Sequence, residues 1–98
     1  MNLPRVWNKR GMGVPLDAVY VGRPSVFGNP FSHLASTLAT YRCGTRTEAI
    51  DRFKRWLAMQ PELIARVKTE LRGRDLVCWC APLPCHADEL LRIANEDP

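Results

Sequence analysis

The sequence predicts one small α/β domain, a three-stranded sheet with about three helices and a ligand-binding loop at the C-terminal end of the last strand. Its 98 residues can form one hydrophobic core but not two, so residues 1–98 are treated as a single domain. The hydrophobic (46%) and charged (24%) fractions are those of a globular protein. Short β-prone segments and segments with helical apolar periodicity alternate along the chain.

Two short strands are predicted first, over residues 5–9 and 18–21, and Gly22 ends the second. Residues 22–31 contain two glycines, two prolines and an asparagine, which predict an irregular loop. The segment 32–44 fits either an irregular excursion or a short helix.

Two helices follow. Residues 46–59 carry apolar side chains at helical spacing, and Thr45 and Glu48 have the spacing of a capping box at their start. A second helix is expected to begin at Pro61, since proline suits a first helical turn, and to stop at Gly73.

The last strand and last helix flank a stiff turn. Residues 76–80 are all apolar or thiol, as expected for a strand buried on both faces. Pro82 and Pro84 stiffen the turn, and residues 87–94 have the apolar spacing of a third helix. Ligand sites of α/β folds lie beyond the C-terminal ends of the strands, which here is the loop of residues 80–86.

The net charge of +4 is unevenly distributed. Residues 1–46 hold six basic side chains and one acidic side chain, whereas the remainder is close to neutral. A local positive field favours an anionic partner such as a nucleotide or a nucleic acid. The simpler interpretation is that many short soluble domains are mildly basic.

The sequence predicts no membrane association. Its apolar runs are far shorter than the roughly 20 residues of a spanning helix, and the first ten residues lack the apolar core of a signal peptide. We therefore expect a cytoplasmic protein, in which the four cysteines are thiols or metal ligands rather than disulfides.

The richest chemistry lies between Cys78 and His86. Cys78 and Cys80 alternate along a strand and so point to one face, while Trp79 points to the other. Together with Cys85 and His86 they offer three thiols and an imidazole, a set that fits a tetrahedral Zn²⁺ site.

Two other interpretations of the cluster stay open. Cys85 precedes a helix, whose dipole stabilises a thiolate, and Cys80 at the strand end is an alternative nucleophile, so either is a candidate catalytic residue of a thiol enzyme. Neighbouring residues on a helix do not face each other, so a Cys85–His86 ion pair is not expected. Alternatively the cysteines are structural, Cys78 above all. Cys43 is either a metal ligand in place of His86 or a bystander in a turn.

The loop after the second strand is a candidate ligand-binding loop. Arg23 is suited to pairing with a phosphate, and Asn29 to bonding a base edge or a backbone turn. Phe27 suits either stacking on a base or filling the core, and Ser25 is grouped with these three as a ligand-binding residue. The alternative is a packed surface loop anchored by Phe27 and Phe31.

Four segments resemble the domain-of-unknown-function family numbered 4326, over roughly residues 5–94: VYVGRPS (19–25), FGNPF (27–31), LRGRDLVCWC (71–80) and PLPCHAD (82–88). The resemblance implies that the two loop motifs belong together and that the protein works in the cytoplasm of a bacterium or of a phage-infected host. Residues 32–44 are longer than the connection usual in that family, which leaves His33 and Cys43 without an implied role.

These observations predict a small domain associated with a nucleotide or nucleic acid, in which the two loops line one pocket and the Cys/His cluster binds Zn²⁺ or supplies a reactive thiol. The alternative is a non-enzymatic bacterial or phage interaction module with structural cysteines. No Ser/His/Asp order or catalytic carboxylate pair is evident, and no glutamate of the deaminase type adjoins the cluster. The sequence therefore leaves open whether the protein is an enzyme.

Overall fold

The computed structural model describes residues 3–32 and 41–96, so His33 lies outside the described residues. The elements in chain order are strands β1 (Val6–Asn8), β2 (Val19–Tyr20), β3 (Phe31–Ser32) and β4 (Tyr41–Arg42), helices α1 (Arg46–Ala58) and α2 (Pro61–Glu70), strand β5 (Leu76–Cys78) and helix α3 (His86–Ala94). A three-stranded sheet with three helices confirms the predicted α/β class.

The main sheet has the order β1-β5-β2 and is parallel throughout. Strand β5 takes the centre because its three residues are apolar or thiol and are buried on both faces, whereas β1 and β2 are half-buried edges. Asn8 pairs with Cys78 and Tyr20 with Val77, so the C-terminal ends of all three strands meet at one edge of the sheet.

A second sheet pairs β3 with β4 in parallel. The Tyr41 N–H donates to the Pro30 carbonyl (2.7 Å) and the Cys43 N–H to the Ser32 carbonyl (2.6 Å). The Phe31 and Tyr41 rings stack, with centroids 5.2 Å apart. The expectation of a wholly irregular loop over residues 22–31 is therefore wrong at Phe31, and part of the ambiguous segment 32–44 is strand.

Helix α1 begins where the capping pattern predicts. The Glu48 N–H donates to Thr45 Oγ1 (3.1 Å), and the Glu48 carboxylate accepts from the Gly44 N–H (2.9 Å), one residue before the N-cap. These bonds satisfy amide groups that a helix start leaves unpaired. The helix buries one face, formed by Ala49, Phe53 and Leu57.

Helices α2 and α3 complete the core against the sheet. Pro61 opens α2 as expected, and the chain turns back towards β5 at Gly73, whose φ of +74° favours glycine. The largest fully buried side chains come from all three helices and from the β2 and β5 segments: Phe53, Leu57, Leu71, Leu76, Leu90, Val21 and Val67. None of the helices in the described ranges has the length and apolar character needed to cross a membrane.

Candidate metal centre and ligand cavity

A cavity of about 280 Å³ opens at the C-terminal edge of the main sheet. Its walls come from the two predicted loops and from the first turns of α1 and α3, the position at which α/β folds bind ligands. Six of the eight predicted site residues line it: Arg23, Asn29, Cys78, Cys80, Cys85 and His86.

Three cysteines form a compact group in this cavity. The sulfur atoms of Cys78, Cys80 and Cys85 all lie within 4.8 Å of one another, and those of Cys78 and Cys85 are 3.1 Å apart. Tetrahedral Zn²⁺ with Zn–S bonds of about 2.3 Å places its sulfurs about 3.8 Å apart. The three thiols could therefore hold a metal ion with small side-chain adjustments.

Local structure explains this convergence. Cys78 is the last residue of β5, and Cys80 begins a turn in which its carbonyl accepts from the Leu83 N–H (2.8 Å). Cys85 is the N-cap of α3, with extended backbone (φ −150°, ψ 157°), and its N–H donates to Asp88 Oδ2 (3.0 Å). A strand end, a short turn and a helix start thus aim three sulfurs at one point.

Cys80 is the thiol of the cluster whose pKa is lowered. Side-chain hydrogen bonding with Cys78 and Cys85 lowers this pKa most, and the Arg46 guanidinium lowers the pKa further. The hydrogen bond with Cys80 raises the pKa of Cys78, although the one with Cys85 lowers it, and hydrogen bonds with Cys78 and Cys80 raise the pKa of Cys85. Cys80 is also the half-buried member of a group whose other two members are buried.

His86 supports the cluster from beside it. Its Nε2 lies 2.8 Å from the Val21 carbonyl oxygen, which can only accept, so Nε2 carries the proton. Its Nδ1 lone pair then faces the Cys85 sulfur at 3.3 Å. Burial lowers the pKa of His86 and favours this neutral form. Among the described residues His86 is not one of the three mutually close donors, and its imidazole contacts Cys85 instead.

The expectation that Cys85 and His86 face apart is wrong. It assumed that both residues have helical backbone, whereas Cys85 lies outside the helix with an extended backbone. Its side chain therefore returns towards the imidazole of the next residue.

Arg46 is a site residue that sequence reasoning did not single out. It is the first residue of α1, it lines the cavity, and its guanidinium helps to lower the pKa of Cys80. A cation at the start of a helix interacts unfavourably with the positive end of the helix dipole. An arginine at this position of a predicted helix therefore indicates another role for its charge. Among the described residues that line the cavity none is acidic, so Arg46 and Arg23 make it electropositive.

Two of the four predicted ligand-binding residues of the loop over residues 22–31 line the cavity, Arg23 and Asn29. Arg23 lines the cavity and donates to the Asn29 carbonyl (2.9 Å). Asn29 is buried and uses its amide internally, donating to the Ala49 carbonyl (3.2 Å) and accepting from the Phe31 N–H (2.9 Å). The amide therefore fixes the cavity wall to α1.

Ser25 and Phe27 do not line the cavity. Phe27 is 5% exposed and belongs to the hydrophobic core. Ser25 Oγ accepts from the Phe27 N–H (3.0 Å) and so shapes the turn. Cys43 is buried but is not among the clustered sulfurs of the described residues.

The cavity rim depends on a close packing of Tyr20 against Gly22. A Cβ on Gly22 would lie 2.6 Å from the Tyr20 Cζ atom, so only glycine leaves room for the ring. The Tyr20 hydroxyl donates to the Arg23 carbonyl (2.8 Å) and accepts from Trp79 Nε1 (3.1 Å). The ring thereby joins the two loops.

Asn8 is a second residue that sequence reasoning missed. At the end of β1 its Nδ2 donates to the carbonyls of Ala81 (2.7 Å) and Trp79 (3.1 Å), and its Oδ1 accepts from the Arg10 N–H (2.9 Å). An asparagine at a strand end is a weak signal, since the same residue often only begins a turn. Here it fixes the backbone around Cys80.

A protein-family model described as a domain of unknown function, DUF4326, matches residues 5–96. The chain therefore belongs to this family, as the loop motifs indicated. No curated protein and no solved structure matches the chain.

Proposed function

We propose that this DUF4326 domain is a zinc-binding domain that takes the phosphate of a nucleotide in the cavity beside its metal. The convergence of the Cys78, Cys80 and Cys85 sulfurs in the lining of the cavity is the observation that carries this proposal. The ion would have three protein ligands and a fourth position towards the cavity, the arrangement of zinc sites that act on ligands.

Zinc fits the donor set better than other metals. Thiolates are soft ligands that select zinc over the hard cations calcium and magnesium. Zinc bound by three thiolates carries one net negative charge, because each thiol loses its proton. The guanidinium of Arg46 lies against Cys80 and offsets that charge. The imidazole of His86 holds Cys85 in place as an outer partner.

Phosphate is the ligand group that the remaining wall fits best. Arg23 and Arg46 both line the cavity, and a guanidinium binds phosphate through paired hydrogen bonds. With two guanidinium groups and one net negative metal centre the lining keeps a positive charge. Thiol ligands persist in reducing compartments, so we place this activity in the cytoplasm, in the bacterial or phage-infected setting that the family resemblance implies.

The first experiment measures metal by elemental mass spectrometry on full-length protein purified without a metal-affinity tag. Wild type should retain about one zinc per chain. Cys78→Ser, Cys80→Ser and Cys85→Ser should each lose most of it, and Cys43→Ser, which removes a buried thiol outside the cluster, should not. Equal zinc in all four variants would overturn the metal centre.

A thiol enzyme is the second candidate, and one observation favours it. Cys80 is half-buried, lines the cavity and contacts Arg46, as a reactive thiolate requires. Wild type with no zinc and one rapidly alkylated thiol, lost in Cys80→Ser, would support this candidate. Wild type with no zinc and four slowly alkylated thiols would instead support an interaction module with structural cysteines.

A further inference from the structure

Four residues outside the metal cluster form a basic and aromatic surface at the cavity mouth. We call Lys9, Arg10, Tyr20 and Trp79 the ridge. Lys9 Nζ lies 4.4 Å from the Tyr20 ring centroid and 5.2 Å from the Trp79 centroid, and the Arg10 guanidinium carbon lies 5.1 Å from the latter. Trp79 is 48% exposed, which is unusual for so large an aromatic side chain.

The ridge cations have no acidic partner in the described part of the chain. Every ion pair found there joins residues of α1, α2 or α3 to each other or to Glu96. Lys9 and Arg10 are exposed, so their charge is available to a ligand. A surface that combines cations outside the ion pairs with an exposed indole matches the chemistry of a nucleic-acid strand, whose phosphates bind cations and whose bases stack on aromatic rings.

The ridge is continuous with the cavity. Tyr20 and Trp79 line the cavity, and their rings also contact Lys9 and Arg10 respectively. The bonds that Asn8 donates to the Trp79 carbonyl and accepts from the Arg10 N–H hold these two residues side by side. A single-stranded nucleic acid with one nucleotide in the cavity would therefore place its next nucleotide on the ridge.

We infer that the partner of this domain is single-stranded nucleic acid, which stacks a base on Trp79 and places its phosphates against Lys9 and Arg10. The inference rests on the proposed function, because it extends the proposed nucleotide cavity onto the adjoining surface. A duplex does not fit it, since paired bases cannot stack on a side chain.

Fluorescence anisotropy of a labelled oligothymidylate tests the inference with zinc-loaded full-length protein. Trp79→Ala should weaken binding about 5- to 100-fold, and Trp79→Phe should retain most of it. In the Lys9→Ala/Arg10→Ala variant the slope of log K against log salt concentration should become shallower by about 1.4. The Lys54→Ala/Lys68→Ala variant, with the same change in charge on α1 and α2, should leave the slope unchanged. Thymidine monophosphate serves as the competitor.

The outcomes separate the inference from the proposed function. If thymidine monophosphate competes and the oligonucleotide binds no more tightly than the mononucleotide, the ridge is not a binding surface. The proposed zinc centre and nucleotide cavity are then unaffected. Equal loss of binding in the ridge and control variants also overturns the ridge, because any surface cation would then serve. If the protein retains no zinc but still binds the oligonucleotide through the ridge residues, the inference is supported and the metal centre is overturned. Absence of binding to either probe overturns both ligand proposals.

Discussion

Replacing His86 with alanine removes the side chain that joins the start of α3 to the end of β2. The imidazole is 8% exposed, donates from Nε2 to the Val21 carbonyl and meets the Phe53 ring edge-on, with centroids 5.2 Å apart. On our account it orients Cys85 and does not bind zinc. The substitution should therefore cost stability while zinc stays bound.

The size of the loss follows from these contacts. A buried carbonyl left without its donor costs about 1–3 kcal/mol. The edge-on contact with Phe53 contributes about 0.5–1.5 kcal/mol. We expect His86→Ala to lower the free energy of unfolding by about 2–4 kcal/mol. In a domain of this size that corresponds to a fall in Tm on the order of 10–30 °C.

Urea unfolding of the zinc-loaded proteins, followed by far-UV circular dichroism, measures this difference. His86→Gln is the matched control, because a glutamine amide nitrogen can donate to the Val21 carbonyl where Nε2 does. The control should lose roughly half as much free energy, since it keeps the hydrogen bond but not the ring. Zinc content is measured on the same samples.

Loss of zinc in both His86 variants with little change in stability would overturn this prediction. It would show that the imidazole is a ligand, as one interpretation of the sequence has it, rather than an orienting group. Equal stability of wild type and His86→Ala would also refute it, because the Val21 bond would then contribute nothing.

The remaining predictions concern the cavity walls. Gly22→Ala should destabilise the domain by about 1–3 kcal/mol in urea unfolding, because its methyl group would overlap the Tyr20 ring. Gly44→Ala is the control and should cost little, since its methyl group would meet only the end of a flexible glutamate side chain. A Gly22→Ala protein as stable as Gly44→Ala would contradict the close packing. Asn29→Ala should lose about 2 kcal/mol, because the Phe31 N–H loses its acceptor and the Ala49 carbonyl loses its side-chain donor, and a smaller change than in Gly44→Ala would count against these bonds.

Much of the fold could be predicted because its signals are local. The apolar spacing and capping residues of residues 45–59 specify α1 without reference to the rest of the chain. The buried character of residues 76–78 gives β5 the central position, and parallel strands bring their C-terminal ends to one edge. The convergence of the loops after Tyr20 and Cys78 follows from that topology alone.

The features that sequence reasoning missed depend on long-range contacts. Strands β3 and β4 are two residues long each, too short for any periodicity to be seen. The contact between Arg46 and Cys80 joins the start of one helix to the end of a distant strand. The approach of His86 to Cys85 depends on the N-cap backbone, which the adjacency of the two residues does not reveal.

X-ray absorption at the zinc edge of the full-length protein is the sharpest test of the proposed metal centre. We expect a first shell of three sulfurs at about 2.3 Å and one nitrogen or oxygen at about 2.0–2.1 Å. The lighter atom should be a water, which added thymidine monophosphate would perturb. A shell without sulfur, or a protein that retains no zinc after purification, would show that the three cysteines do not form a zinc centre.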